Sequence, residues 1–231
     1  MSVAGPAPFR APADAPRGAG AFASAADALA AARADTLGAV WDVAEDAAFA
    51  PGPLAGLSVG VKANLAVAGL PWTAGIEAFR HRRAEADATA VARLRAAGAA
   101  ITCTLAMEEG ALGAVTDNPA FGRCANPLGE GRTPGGSSGG SGAAVAAGIV
   151  DLALGTDTMG SVRIPAAYCG VAGALPTAGL IGRDGLAYLS PTLDRIGPLA
   201  RDPALLWPAL RALAGVDPGD PDSRPAPAGW S

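Results

Sequence analysis

Residues 139–155 read GGSGAAVAAGIVDLALG, and two kinds of element meet in them at a glycine. The first nine residues are small and almost wholly apolar, with no polar stripe, so they predict a helix, Gly139 to Ala147, buried on every side. Gly148 is the stop such a helix takes. The run Ile149 to Gly155 is then apolar on both faces, as an interior strand of a covered sheet must be. The most apolar part, Gly142 to Leu154, is too short to cross a bilayer, which takes about 20 apolar residues, and Asp151 interrupts it.

Working outward, Leu57 to Lys62 reads as another interior strand. Asp87 is placed to cap a helix over Ala88 to Ala97, Gly98 to end it, and Ala99 to Leu105 to form the next strand. Pro203 opens a helix through Ala214 that Gly215 closes. Ala21 to Leu37 has Ala and Leu at helical spacing and predicts a peripheral helix. Residues 38–56, with Asp42, Glu45, Asp46 and Pro51-Gly52-Pro53, read as a loop. The expected fold is α/β, a mixed and mostly parallel sheet covered by helices on both faces. Its expected limits are a flexible leader at 1–20, one domain at 21–217, and a Pro-rich tail at 218–231.

The chain has 231 residues, 50% hydrophobic and 16% charged, enough for one sizeable core. Its formal net charge of −4 supplies no footprint for a polyanion, so nucleic acid is not an expected partner. Nor is a membrane, because no run approaches about 20 apolar residues, and the leader has no apolar core of the secretory kind. Cys103, Cys124 and Cys169 form an odd set without metal-ligand spacing, which predicts neither disulfide framework nor metal site and suggests the cytoplasm.

The 17 basic side chains include a single lysine, Lys62. Arginine stays protonated in proteins, whereas a desolvated lysine can lose its charge near neutral pH. The only histidine, His81, stands among Arg80, Arg82 and Arg83, where neighbouring cations oppose its protonation and no carboxylate is adjacent to orient it. A Ser-His-Asp triad is therefore not expected.

Two glycine-rich segments remain, Thr133 to Gly142 and Gly155 to Arg163. The first precedes a helix, where free N–H groups favour an anion, but it has no lysine to complete a GxxxxGK(S/T) phosphate loop. What these residues permit is a hydroxyl relay. Lys62 would be the base, Ser137 or Ser138 the bridge, and a second serine such as Ser161 the nucleophile, with nearby amides forming an oxyanion hole.

Four segments then resemble the amidase signature family, whose members hydrolyse amides with a Ser-cisSer-Lys triad. They are GVKANLAVAGLPWTAG at 60–75, DATAVARLRAAGA at 87–99, TPGGSSGGSGAAVAAG at 133–148 and LALGTDTMGSVRIPAAYCGVAGALPT at 152–177. They stand in family order, and the likeness runs from about Gly52 to Ser223. The resemblance implies that Ser161 is the nucleophile, Ser137 the cis-serine relay and Lys62 the base. It assigns the oxyanion hole to the N–H groups of Thr158, Met159, Gly160 and Ser161, with Ser138, Asp157 and Arg163 in support. The substrate would be a small-molecule amide, with no cofactor and no metal.

Three departures accompany the likeness. Ala63 stands where the family usually has Asp. Met159 replaces a glycine of its TDTGGS run, where a positive φ would strain a side chain. Family members are also longer, so a C-terminally shortened core is expected, with an open sheet edge that a homo- or hetero-oligomer would cover. Two other readings follow from the same residues, a non-catalytic amidase-like scaffold and the amidase component of a larger amidotransferase complex. Met107, Glu108 and Ala111 are candidates to face the acyl pocket, and Glu108 reads equally well as a solvated helix residue.

Overall fold

Aliphatic residues crowd onto both faces of a few short extended segments, and the computed structural model, which describes residues 21–230, assembles those segments into one sheet. The leader expected at 1–20 lies outside the described residues. The strands are β1 (Val40–Val43), β2 (Ser58–Lys62), β3 (Ala100–Leu105), β6 (Leu152–Asp157), β7 (Ala172–Gly173) and β8 (Arg195–Ala200). β4 (Asp117–Asn118) and β5 (Gly122–Arg123) make a separate two-stranded ribbon. The helices are α1 (Ala25–Arg33), α2 (Thr89–Ala96), α3 (Gly139–Ala147), α4 (Arg163–Cys169) and α5 (Leu206–Leu213).

The sheet order is β1-β3-β2-β6-β8-β7. Its centre, β3-β2-β6, is parallel, while β1, β8 and β7 each pair antiparallel with their inner neighbour. Four strands, β2, β3, β6 and β7, thus point one way. Helices lie on both faces. On one, α2 and α5 bury Val91, Leu94, Ala209 and Leu213 against Val59, Val61, Ile101 and Leu154. On the other, α3 and α4 bury Val145, Ala166 and Cys169 against Cys103, Leu105, Ala153 and Leu199. Each fully buried aliphatic side chain contributes about 1.5–3 kcal/mol.

α3 has the predicted limits and the predicted burial. Its glycines serve close approach. A Cβ on Gly140 would lie 2.5 Å from the backbone N of Ala106, and one on Gly142 would lie 2.9 Å from the carbonyl of Pro165. The helix therefore lies directly on the exit of β3 and against α4. Asp151, which interrupts the apolar run, also has a task. Its carboxylate accepts from Ser58 N at 2.9 Å and Ser58 Oγ at 2.8 Å, and its own N–H donates to Ser58 Oγ at 3.0 Å. That reciprocal set ties the start of β2 to the start of β6 and fixes their register.

Several expectations need correction. Residues 38–56 are not only loop, because Val40–Val43 forms edge strand β1 on β3. Asp87 does not cap α2. Its carboxylate instead accepts from Ala68 N at 2.8 Å and from Arg95 at 2.7 Å. The 217/218 boundary falls inside packed chain, since buried Asp220 holds the Arg183 guanidinium at 2.8 Å and Arg224 N donates to Gly179 O at 2.8 Å. Beyond it, Trp230 packs edge-on to Trp207 of α5 with centroids 4.7 Å apart. β8 has no clear signature in the sequence, because Gly197 and Pro198 break its apolar pattern.

Gly140→Ala forces a methyl into backbone that cannot yield, so α3 must lift from β3. The expected cost is about 1–3 kcal/mol, measured by denaturant unfolding.

Candidate active site

In sheets with parallel strands, ligands bind beyond the carboxyl ends of those strands, where loops diverge. Here β2 ends at Lys62 and β6 at Asp157, side by side in register, and the glycine-rich segments flank those ends. Lys62 is fully buried. Its Nζ donates to Ser137 Oγ at 2.7 Å and to Thr156 Oγ1 at 2.8 Å. Burial pushes its pKa down to about 7, against the pull of Asp194, Asp157 and Glu108, which favour the charged form. Thr156 was missed by sequence reasoning. The signal was available in register, since it is the penultimate residue of the strand that adjoins β2.

Ser137 follows a cis peptide bond, Gly136–Ser137. Its carbonyl accepts from Glu108 N at 3.2 Å, which sets its hydroxyl toward the end of β2. Ser138 has a different role. Its hydroxyl donates to Thr156 O at 3.2 Å and accepts from Thr156 N at 3.3 Å, stitching the start of α3 to β6. Of the two serines that could bridge, the one in contact with Lys62 is Ser137. Thr116, with φ of 53°, stands before the helix, accepting from Gly139 N at 3.1 Å and donating to Gly135 O at 2.8 Å. Glu108 is buried, not solvated, and its carboxylate takes the N–H groups of Val115 and Thr116 at 2.9 and 2.7 Å. Met107 and Ala111 close on Ala63 in a small apolar cluster, which the aspartate usual in the family would interrupt.

The loop bearing Ser161 is organised by Asp157. Its carboxylate accepts from Gly160 N at 2.8 Å, Val162 N at 3.0 Å and, in a two-pronged pair, from Arg163 at 2.9 and 3.0 Å. Burial raises the pKa of Asp157, but the Arg163 hydrogen bond, those from Val162 and Arg163 amides and the Arg163 charge outweigh it and hold the carboxyl below its ordinary range. The Gly160 amide is thus committed to Asp157, a correction to the four-amide oxyanion hole. Thr158, Met159 and Ser161 are the loop amides with no protein acceptor among the described residues. Gly160, not Met159, carries the positive φ, 143°, so Met159 brings no backbone strain, and its side chain is 75% exposed. Asp194, also missed, accepts from Thr158 Oγ1 at 2.5 Å and from Leu189 N at 2.7 Å.

Ser161 itself is half-buried, and Ser138 N donates to its carbonyl at 3.2 Å. The structure brings Lys62 and Ser137 into contact and sets the Ser161 loop beside them. Among the described residues no hydrogen bond joins the Ser137 and Ser161 hydroxyls. His81 is exposed. The three cysteines are buried and unpaired, and burial pushes Cys103 and Cys169 up to about 12. Among the described residues no His, Cys, Asp and Glu cluster is placed to hold a metal, and no helix is long and apolar enough to cross a membrane.

Two outcomes follow from this geometry. With the folded pKa of Lys62 below its ordinary 10.5, the unfolded chain binds the extra proton between about pH 7 and 10.5. The Lys62 contribution to stability therefore rises with pH across that window and is flat below it. Lys62→Met removes this slope in denaturant titrations run at a series of pH values. Arg163→Ala costs at most about 1 kcal/mol, since its side chain is half exposed. Asp157→Ala costs more, about 1–3 kcal/mol, because it also strands the Gly160 and Val162 amides, and the same unfolding assay ranks the two.

Fold and site together define an α/β protein that gathers a buried lysine and two serine loops at the ends of its parallel strands. The family model described as Amidase matches residues 15–230, and the chain belongs to that family. It is 51% identical over 178 residues to a glutamyl-tRNA(Gln) amidotransferase subunit of Natronomonas pharaonis, covering 77% of this chain and 42% of the relative. The same-named protein of an Anaeromyxobacter species is 48% identical over 174 residues, covering 75% of this chain and 35% of the relative. Among solved structures, the same-named protein of Thermotoga maritima superposes with a TM-score of 0.83 at 34% identity, covering 87% of this chain and 45% of that one. A 6-aminohexanoate cyclic dimer hydrolase complexed with substrate does so at 0.78 and 31%, covering 88% and 45%. The chain thus spans less than half the length of each of these relatives.

Proposed function

We propose that this chain cleaves the C–N bond of a carboxylic amide through a serine acyl-enzyme, and that it works as the amidase component of an amidotransferase assembly. The observation that carries the reading is the wholly buried Lys62 amine, 2.7 Å from the hydroxyl of Ser137. An amine with a pKa pushed to about 7 is half neutral at physiological pH and can act as a base.

In the proposed cycle Lys62 takes a proton from Ser137 as Ser137 takes one from Ser161. Ser161 Oγ forms a bond to the amide carbonyl carbon. The amides of Thr158, Met159 and Ser161 receive the resulting oxyanion, each such donor contributing about 10²–10³ in rate. The relay returns a proton to the leaving nitrogen, the C–N bond breaks, and ammonia or an amine departs. Water then adds to the acyl ester by the same relay and releases the acid. Thr158 and Met159 lie on the loop that Asp157, Arg163 and Asp194 hold, so those three act by positioning.

The assembly reading rests on the names of the relatives matched at about half identity. The outer edge of β8 is covered by this chain itself, since β7 pairs with Leu199 and Ala200 and Ala174 N donates to Pro198 O at 3.0 Å, so the sheet edge adds no support to the assembly reading. A stand-alone amide hydrolase is the second reading, favoured by the superposition on the 6-aminohexanoate cyclic dimer hydrolase.

A fluorophosphonate probe is expected to label Ser161, and Ser161→Ala to abolish both labelling and amide cleavage, a loss of about 10³-fold or more. Cleavage is expected to fall as pH drops through about 7, as Lys62 gains its proton. Lys62→Arg, which keeps the charge but cannot give up its proton, is expected to be inactive, and normal turnover in that variant would overturn the assignment. Native mass determination, with and without candidate partner proteins, separates the assembly from the stand-alone enzyme.

A further inference from the structure

Lys62 has two hydroxyl neighbours, and the proposed chemistry uses only one of them. The other belongs to Thr156, whose Oγ1 also accepts from Asn64 Nδ2 at 3.1 Å. Asn64 is 1% exposed, and its Oδ1 is buried with no hydrogen-bond partner. Its backbone is pinned, since its carbonyl accepts from Trp72 Nε1 at 2.9 Å and from Ala187 N at 2.8 Å. Only the side-chain amide is free to change what it offers.

Counting protons shows why that matters. A neutral lysine amine has one lone pair, and either hydroxyl can donate to it. With Asn64 Nδ2 turned toward Thr156, the threonine hydroxyl proton has no acceptor but that lone pair, so Thr156 competes with Ser137. Turning the Asn64 amide by 180° puts Oδ1 toward Thr156, and nitrogen and oxygen occupy nearly the same space. Thr156 then donates to Asn64 and accepts from Lys62, and the lone pair is left to Ser137. The turn gives up a 3.5 Å contact from Nδ2 to Ala187 O and carries Nδ2 to the buried position where Oδ1 has no partner.

We propose that Asn64, acting through Thr156, is a positioning residue that decides which hydroxyl shares the lone pair of the Lys62 amine. This rests on the reading of Lys62 as the base toward Ser137. It adds a device that holds the base ready, or quenches it, by the rotation of one buried amide.

The test uses the fact that the chain contains one lysine. Protein labelled with ¹⁵N-lysine gives a single side-chain signal, so the Lys62 titration is read by NMR without reference to activity. With Oδ1 toward Thr156, the orientation that holds the base ready, Thr156 donates to Asn64; Asn64→Ala removes that acceptor, and the Thr156 hydroxyl then donates to the neutral amine in competition with Ser137. Two hydroxyls able to fill the one lone pair, in place of one, double the ways of stabilising the neutral amine, so the midpoint is expected to fall by about 0.3 pH unit, a factor of two. In a Thr156→Val background the Asn64→Ala change is expected to have no further effect, and in Thr156→Ser, which keeps the hydroxyl, the shift is expected to persist. The charged groups that act on Lys62, Asp194, Asp157 and Glu108, are the same in every variant. Asn64→Leu, closer in volume, gives the same readout if the alanine variant does not fold. A shift of equal size with and without the threonine hydroxyl, or no shift at all, overturns the proposal. An ordinary lysine midpoint near 10.5 in the unmutated protein would instead overturn the reading of Lys62 as a base.

Discussion

Everything at this site depends on an amine held out of water without a carboxylate beside it. Asp157, Asp194 and Glu108 are near enough to pull Lys62 toward its charged form, and burial overrides them. Among the described residues none of the three makes an ion pair with it. The reason is visible in their hydrogen bonds. Asp157 is filled by Arg163 and backbone amides, Glu108 by the amides of Val115 and Thr116, and Asp194 by Thr158 and the amides of Leu189 and Ser190. A carboxylate already satisfied by fixed donors gains little by turning to a distant ammonium. The same three groups hold the surrounding loops, so the acids that shape the site are also kept from pairing with its amine.

The burial in turn depends on small residues. α3 lies on the exit of β3 closely enough that Gly140 has no room for a methyl group, and this approach brings Ser137, at its start, to the end of β2. A bulkier helix would stand off the sheet by about an ångström or more. The lysine would then meet water, and its ordinary pKa would return. Close packing of a glycine-rich helix and the chemistry of the amine are thus one arrangement.

Membership of the Amidase family and the spatial arrangement support each other, and the chain covers less than half of each of the four relatives described above. Ala63 and Met159, the two local departures from the family pattern, are both accommodated. Ala63 joins Met107 and Ala111 in an apolar cluster, and Met159 has an exposed side chain on unstrained backbone.

Periodicity and punctuation were enough to place α3, β2 and β3, each a near-continuous apolar run, and to announce a strand after Gly148, which reads as Ile149 to Gly155 and is Leu152–Asp157. Lys62 stands out because it is the only lysine, whereas the residues alone leave Ser137 and Ser138 open and the family resemblance points to Ser137. Thr156, Asn64 and Asp194 were not legible, and Glu108 reads as facing the acyl pocket or solvent, not as the acceptor of two backbone amides. Each is an ordinary polar residue whose meaning comes from the neighbour it meets across the sheet or from another loop. Asp220 was hidden in a stretch that reads as tail until Arg183 is seen to reach it. Local pattern is written in the chain because it reflects bonds and burial within a few residues. Which hydroxyl faces an amine, and which amides a carboxylate has already taken, depends on segments up to 94 positions apart, as from Lys62 to Thr156, and only packing brings those together.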